Sequence, residues 1–148
     1  MPHYREQIRK AVVTAVTGLG TTGANVKDSP VFPLPENTPP TLCIYARASA
    51  VDYAEGQLDC APMREVQLTI EGYAKTNNAL ADTLDDIASE VETAIFNDAS
   101  LIALCPGGIL LSDQVIAINA EGDEPLGKIE MNYLFYYHGR EGEPNTKV

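Results

Sequence analysis

The sequence predicts an α+β fold in which two helices cover one face of a mostly antiparallel sheet of four or five strands. Two segments place apolar residues at spacings of three and four, which is typical of amphipathic helices. Other segments alternate between apolar and polar residues, which is typical of strands with one covered face. The strands follow one another with few crossovers, so we expect neighbouring strands to pair antiparallel.

The first predicted element is a helix over residues 3–18. Its apolar stripe consists of Ile8, Val12, Ala15 and Leu19. Gly18 or Gly20 is expected to end the helix, because glycine readily takes the left-handed conformation that closes helices. Residues 20–40 contain five prolines. They are therefore predicted to cross the surface irregularly, apart from a short strand at residues 25–29.

Two strands are predicted on either side of a long connection. Residues 41–47 alternate with Leu42 and Ile44 on the covered face. Residues 64–74 alternate in the same way, and their polar side chains are expected on a wet face: Glu65, Gln67, Thr69, Glu71 and Tyr73. Residues 48–62 contain Gly and Pro and have no clear period. They are predicted to form a long loop or the tip of a protruding hairpin, and such segments are usually functional or mobile.

A second helix and two further strands complete the predicted domain. The helix is expected to begin with a cap at Asn77 or Asn78 and to end near Asn97. Its apolar stripe consists of Leu80, Leu84, Ile87, Val91 and Ile95. Strands are predicted at residues 110–119 and 128–138, and the second places Tyr133, Phe135 and Tyr137 on one covered face. We expect a single domain over residues 1–138, followed by a flexible polar tail at residues 139–148.

The charge is distributed unevenly along the chain. The segment between Lys75 and Lys128 contains ten acids and no Lys, Arg or His, within a chain of net charge −11. Half of these acids lie on the second predicted helix: Asp82, Asp85, Asp86, Glu90 and Glu92. Binding of phosphate groups requires Lys and Arg, so this segment disfavours nucleic acid. Two interpretations of the acidic helix stay open: a docking face for a basic partner, or a solvated surface.

No motif in the sequence indicates catalysis, a metal site or a cofactor. The three cysteines are widely spaced and form no CxxC pair. We therefore expect free thiols in a reducing cytoplasm and no zinc site. The glycine-rich residues 18–23 follow a helix and lack the GK[ST] ending of a phosphate loop, so they indicate a helix end. No apolar run approaches the length of a membrane span, which is about 20 residues.

Three stretches of the chain resemble the tail terminator proteins of long-tailed bacteriophages, the group that includes the minor tail protein U of phage lambda. Residues 4–34 resemble the first helix and short crossing of that family. Residues 38–49, TPPTLCIYARAS, resemble the strand that follows. Residues 64–98 resemble a long strand that leads into an acidic helix ahead of a closing strand pair. The resemblance covers residues 4–138 and lies in the order and pattern of elements.

The resemblance implies a structural role in the virion, with no enzymatic activity and no cofactor. Family members form a ring, usually a hexamer, at the head-proximal end of the tail tube, where they stop polymerisation and present a surface for head joining. The implied partners are further copies of the chain, the major tail tube protein and a head-completion or neck protein. Assembly would occur in the bacterial host cytoplasm, and the ring would form either before or only upon tube binding.

A ring that caps a polymer needs two unlike surfaces, one for its neighbours and one for the tube. The basic residues that we expect at the subunit contact are Arg5 and Arg9, or Arg47 and Arg64. The acidic residues that we expect opposite them are Asp82, Asp85, Asp86 and Glu90. The segment at residues 48–62 is predicted to reach the tube or the adjacent subunit through Asp52, Tyr53 and Glu55.

Alternative functions stay open on the sequence alone. A different neck, tail-completion or head–tail joining protein would have a similar small α+β fold. A non-viral adaptor would use the acidic helix to dock a basic protein and would remain a monomer. A ligand-binding module would need a concave pocket with convergent polar groups, and the sequence offers no candidate set for one.

Overall fold

The computed structural model describes residues 2–30, 40–52, 62–76, 79–119, 125–139, 142–145 and 147. The elements are α1 (Tyr4–Ala15), β1 (Val26–Asp28), β2 (Thr41–Asp52), β3 (Met63–Lys75), α2 (Leu80–Phe96), α3 (Ala99–Leu104), β4 (Gly108–Asn119) and β5 (Leu126–His138). The predicted α+β class is confirmed.

The five strands form one mixed sheet in the order β1-β2-β3-β5-β4. The short β1 pairs parallel with β2, and the other three pairings are antiparallel. β1 reaches only the first part of β2, where it pairs with Leu42, Cys43 and Ile44. β4 is the outer strand at the opposite side of the sheet. The register shifts at Arg47 in β2 and at Ser112 in β4, where each strand contains a bulge.

The core lies between the helices and the face of the sheet that they cover. From β5, Tyr133, Phe135 and Tyr137 are at most 2% exposed, so the expectation that these aromatic residues share a covered face is confirmed. From α2, the buried residues of the predicted stripe are Leu84, Ile87, Val91 and Ile95. These side chains and those of α1 belong to one apolar cluster, which joins both long helices to the same face.

The helix ends follow local chemistry. His3 precedes α1 and its Nδ1 accepts a hydrogen bond from the backbone N–H of Arg5 at 3.0 Å, as an N-terminal cap does. α1 ends at Ala15, and the chain turns at Gly18, whose φ of +88° favours glycine. α2 begins at Leu80 after Ala79, which makes no side-chain cap. The predicted cap at Asn77 or Asn78 lies outside the described residues.

Two differences from the sequence predictions concern the extent of regular structure. β2 continues to Asp52, so residues 48–52 belong to a strand and not to a loop, because β3 provides hydrogen-bonding partners along its whole length. Residues 53–61 lie outside the described part. The sequence analysis also missed α3, which follows an Asp98 cap at 2.8 Å from Leu101 N. A helix of six residues is too short to show an apolar period.

The face of the sheet opposite the helices is less exposed than predicted; we call it the open face. Thr69 is 1% exposed and Glu71 is 6% exposed, although both were expected on a wet face. Thr69 donates a hydrogen bond to Asn132 at 2.6 Å, and Glu71 accepts hydrogen bonds from Arg47 and Tyr73. Long neighbouring side chains thus satisfy these groups and shield them from water.

Two described residues of the segment predicted to be a flexible tail contact α1. The Tyr4 N–H donates to the Pro144 carbonyl at 2.7 Å, and the Gln7 side chain donates to the Asn145 carbonyl at 2.8 Å. The first of these bonds satisfies the backbone N–H of Tyr4, which lies in the first turn of α1 and has no partner within the helix.

α2 approaches the sheet closely at Gly72, and this approach provides a test of the packing. A Cβ atom at Gly72 would lie 2.7 Å from Ile87 Cγ2 and 3.1 Å from Ile129 Cγ2. We therefore expect Gly72→Ala to lower the free energy of unfolding by about 1–3 kcal/mol, measured by urea denaturation. Ser89→Ala is the control, since Ser89 is exposed on the same helix. An equal loss in both variants would contradict the packing account.

Candidate assembly surfaces

The outward side of α2 carries carboxylates that the structure leaves available to a partner. Asp82, Asp85, Asp86 and Glu92 are exposed, and we call these four residues the acidic face. Among the described residues none of them forms an ion pair. The apolar stripe of α2 turns this side away from the sheet. The acidic face is therefore a surface of unneutralised negative charge.

Glu90, the remaining acid that the sequence placed at the interface, is used within the molecule. Its Oε2 accepts a hydrogen bond from Thr21 N at 3.0 Å, and its Oε1 accepts one from Thr21 Oγ1 at 3.1 Å. The contact joins α2 to the turn that follows α1. Glu90 thus stabilises the position of the two helices relative to each other.

Arg9 is also bonded within the molecule. Its Nε lies 2.8 Å from Asp28 Oδ1, and Lys10 Nζ lies 2.8 Å from Asp28 Oδ2, so these two cations of α1 hold β1. Burial raises the pKa of the Asp28 carboxyl, but hydrogen bonds from Lys10 and Ser29 and the charge of Arg9 outweigh it. The pKa of Asp28 therefore lies below its ordinary value of 3.8.

Arg5 and Arg64 lie near each other, beside the last residues of β2 and the first residues of β3. Arg5 donates a hydrogen bond to Ser49 Oγ at 3.2 Å, and Arg64 donates one to the Gly139 carbonyl at 3.2 Å. Arg64 is the partner of Val51 in the register of β2 and β3. Both arginines lower the pKa of His3 by their charge, after the larger effect of its burial. The same end also carries Glu6 in the first turn of α1 and Glu65, which pairs with Ala50, so its charges are mixed.

The other predicted residues are divided: Arg47 lies apart from that end, whereas Asp52 lies at it. Arg47 is on the open face, where it contacts Glu71 at 3.3 Å and lies 4.9 Å from the centre of the Tyr45 ring. Asp52 is the last residue of β2 and pairs with Met63. Tyr53 and Glu55 lie outside the described residues. Of the two arginine pairs expected from the sequence, Arg5 and Arg9 lie about one turn apart on α1, whereas Arg47 and Arg64 lie apart in the sheet.

The sequence analysis predicted a strand at residues 110–119 but missed that this strand, β4, is an exposed edge. Four large apolar residues of this strand are at least half exposed: Leu110, Val115, Ile116 and Ile118. The consecutive run at residues 115–118, VIAI, was the available signal, because an apolar residue at every position faces both sides of a strand. A strand without alternation between apolar and polar residues therefore indicated that apolar side chains lie on both of its faces.

An open groove of about 540 Å³ runs between the outer side of α2 and β4. Asp85, Glu92 and Phe96 line it on the helix side, and Gln114 lines it on the strand side. The groove thus combines two carboxylates of the acidic face with an aromatic side chain that is 37% exposed. This composition suits an extended chain with both apolar and basic side chains.

The described residues show no cluster with the chemistry of a catalytic or metal site. No group of three His, Cys, Asp or Glu side chains in that part of the chain is placed to hold a metal ion. Burial raises the pKa of the Cys105 thiol to about 12 and that of Cys43 to about 11, so both thiols are protonated at neutral pH. Cys60 lies outside the described residues. No described helix has the length and apolarity to cross a membrane.

The fold and its surfaces define an α+β protein with an open sheet edge and an acidic helix face. A comparison with models of known protein families found no match, and a search of curated proteins found none either.

The ion pairs at Asp28 give a pH-dependent prediction. At neutral pH we expect Asp28→Asn to lower the free energy of unfolding by about 1 kcal/mol, because Arg9 and Lys10 lose their carboxylate. A carboxylate with a lowered pKa stabilises fully above its unfolded-state pKa, and this stabilisation is lost as pH falls through the folded-state value. The difference between the wild type and the variant should therefore shrink below an ordinary pKa of 3.8.

Urea denaturation at several pH values measures this difference. Glu143→Gln is the control, since it removes an exposed carboxylate from the tail. A gap between wild type and Asp28→Asn that stays constant down to about pH 2 would show that the ion pairs do not stabilise the fold.

Proposed function

We propose that the chain is a structural protein of a long-tailed bacteriophage. In this proposal it forms a ring at the head-proximal end of the tail tube, stops polymerisation of the tube and provides the surface for joining to the head. The resemblance of residues 4–138 to tail terminator proteins points to the tail. The observation that carries an assembly role is the exposed apolar edge of β4.

The order of elements supports the proposal. The resemblance implies a helix, a short crossing, strands that lead into an acidic helix, and a closing strand pair. The chain has α1, the crossing strand β1, the β2–β3 hairpin, the acidic α2 and the β4–β5 pair in that order, with the short α3 inserted before β4. A sheet packed against helices is also the architecture that the resemblance implies.

The edge of β4 supports assembly because proteins that remain monomers usually protect such edges. Protection normally comes from charged residues, proline, short strands, bulges or a covering segment. β4 is 12 residues long and contains one bulge, a single charged residue, Asp113, and no proline. Within the described part of the chain no strand pairs with its outer side. Such a strand favours pairing with another polypeptide.

The acidic face supplies a second surface, of different chemistry. Its carboxylates are exposed and point away from the sheet, so a basic partner can approach them without displacing internal contacts. A capping ring needs one surface for neighbouring subunits and another for the end of the tube. The two surfaces of the chain support that division of roles.

The test is capping of tail tubes in vitro. The tube protein encoded in the same genome is polymerised with and without the purified chain, and tube lengths and ends are measured by negative-stain electron microscopy. We expect shorter tubes with extra density at one end. Asp85→Lys and Asp86→Lys together should raise the concentration for half-maximal capping by about tenfold, or about 1.4 kcal/mol.

Control variants and outcomes separate the alternatives. Glu143→Lys also reverses an exposed acid, but in the tail, and should cap as the wild type does. Unchanged tube length with the wild-type chain would contradict the terminator role. Binding to the portal end of heads instead would indicate a head–tail joining protein. A chain that binds neither structure and stays monomeric would indicate an acidic adaptor.

A further inference from the structure

We infer that β4 binds an extended segment of a partner protein, in which basic side chains that face α2 alternate with apolar side chains that face the open face. This inference deepens the proposed function, on which it rests, by stating the chemistry of the partner segment at the assembly edge. Three features support it: the unpaired edge, the position of α2 beside that edge, and the side chains on each face of β4.

β4 offers an edge for a further strand along its length. Its inner side pairs with β5 from Gly108 to Asn119, apart from the bulge at Ser112. In the part of the chain that the structure describes, no strand pairs with its outer side. Every second residue of an edge strand directs its backbone N–H and C=O groups outward, where they can bond to another strand. An extended polypeptide is therefore the partner that the backbone of β4 fits.

The helix α2 lies along this edge and forms one wall of the groove. Near its start, Leu84 lies beside Gly127 of β5, and at its end the Phe96 ring lies 6.1 Å from the ring of Tyr133. α2 therefore follows β5 over this stretch. A strand added to β4 would close the open side of the groove, and its side chains on the helix-covered face would point into it.

The helix side of the groove selects basic side chains. Asp85 and Glu92 are exposed, line the groove and form no ion pair within the described residues. They lie about two turns, or roughly 10 Å, apart along α2. Side chains on one face of a strand repeat at about 7 Å, so two successive long cations can each reach one carboxylate. Phe96 and Ile116, which is 50% exposed on the same face, provide apolar surface for the stems of these cations.

The other face of β4 selects apolar side chains. Leu110 and Val115 lie on the open face and are 54% and 52% exposed. The acid between them, Asp113, already accepts a hydrogen bond from Asn132. Apolar side chains of an added strand would cover Leu110 and Val115 and remove them from water. Because successive side chains of a strand point to opposite faces, the partner segment must alternate between basic and apolar residues.

Charge disfavours a second β4 as the occupant of this edge. Pairing of β4 with β4 would bring together two grooves that each carry Asp85 and Glu92, in subunits that each have a net charge of −11. β4 itself contains no Lys or Arg that could offset these carboxylates. A segment with Lys or Arg at alternate positions does offset them, so it is the better complement.

The test uses two synthetic peptides with equal numbers of lysine and valine. In the first peptide the two residue types alternate, and in the second all lysines precede all valines. Binding of each labelled peptide to the full chain is measured by fluorescence anisotropy. We expect the alternating peptide to bind at least about tenfold more tightly, because only this peptide directs lysine to the groove and valine to the open face. Equal affinities would show attraction by net charge alone and would overturn the inference.

Two charge-reversed variants of α2 test the role of the groove. Asp85→Lys places a cation in the groove and should weaken binding of the alternating peptide by about tenfold. Asp86→Lys is the matched control, since Asp86 is exposed on the same helix but does not line the groove. It makes the same change of charge and should bind within about twofold of the wild type. An equal loss of affinity in both variants would contradict the inference.

Hydrogen–deuterium exchange tests whether the peptide adds to the sheet as a strand. We expect the alternating peptide to slow exchange of backbone amides within residues 108–119, because the outward N–H groups of β4 gain partners. Binding that leaves exchange there unchanged would overturn the inference. Slower exchange at raised protein concentration without any peptide would show that a second copy occupies the edge, and this result would overturn it as well.

Failure of this inference and failure of the proposed function have different signatures. If the chain caps tail tubes but the alternating peptide does not bind β4, the proposed function stands without the inference. If the peptide adds to β4 but tubes grow unchanged, the edge binds such a segment and the terminator role fails.

Discussion

The packing of α2 on the centre of the sheet is the constraint on which the other surfaces depend. Gly72 and Gly127 let the helix approach closely, because a Cβ at Gly127 would lie 2.9 Å from Leu84 Cδ1 and one at Gly72 would lie 2.7 Å from Ile87 Cγ2. With its apolar stripe fixed over β3 and β5, α2 turns the acidic face to solvent. The same position leaves the outer side of β4 beyond the reach of the helix.

Periodicity predicted most of the fold, because the long helices, β3 and β5 each bury one face, and the spacing of their apolar residues shows which face it is. The stripe of α2 and the aromatic face of β5 are the clearest cases. The extent of β2 was not predictable in this way, since residues 48–51 are exposed and carry no apolar alternation. Their strand conformation depends on hydrogen bonds with β3, which lie in the tertiary structure and not in the local sequence.

The candidate surfaces were predictable in part for a related reason. A sequence shows which residues carry charge, but only the structure shows which charges are already neutralised. Arg9 and Glu90 belong to the predicted groups, yet Asp28 and Thr21 bind them internally. Asp85 and Asp86 make no such contact within the described residues. The edge of β4 escaped prediction because an apolar strand normally indicates burial, and the sequence does not reveal which strand lies at the margin of a sheet.

The acidic face and the apolar edge are best understood together. An exposed apolar strand with few charges is a hazard, since it can pair with any other open edge and start aggregation. The groove beside β4 carries Asp85 and Glu92, so a second β4, or another acidic strand, is repelled before its backbone can pair. A basic strand is attracted instead. The negative charge of α2 thereby disfavours acidic partners of β4 without covering the strand.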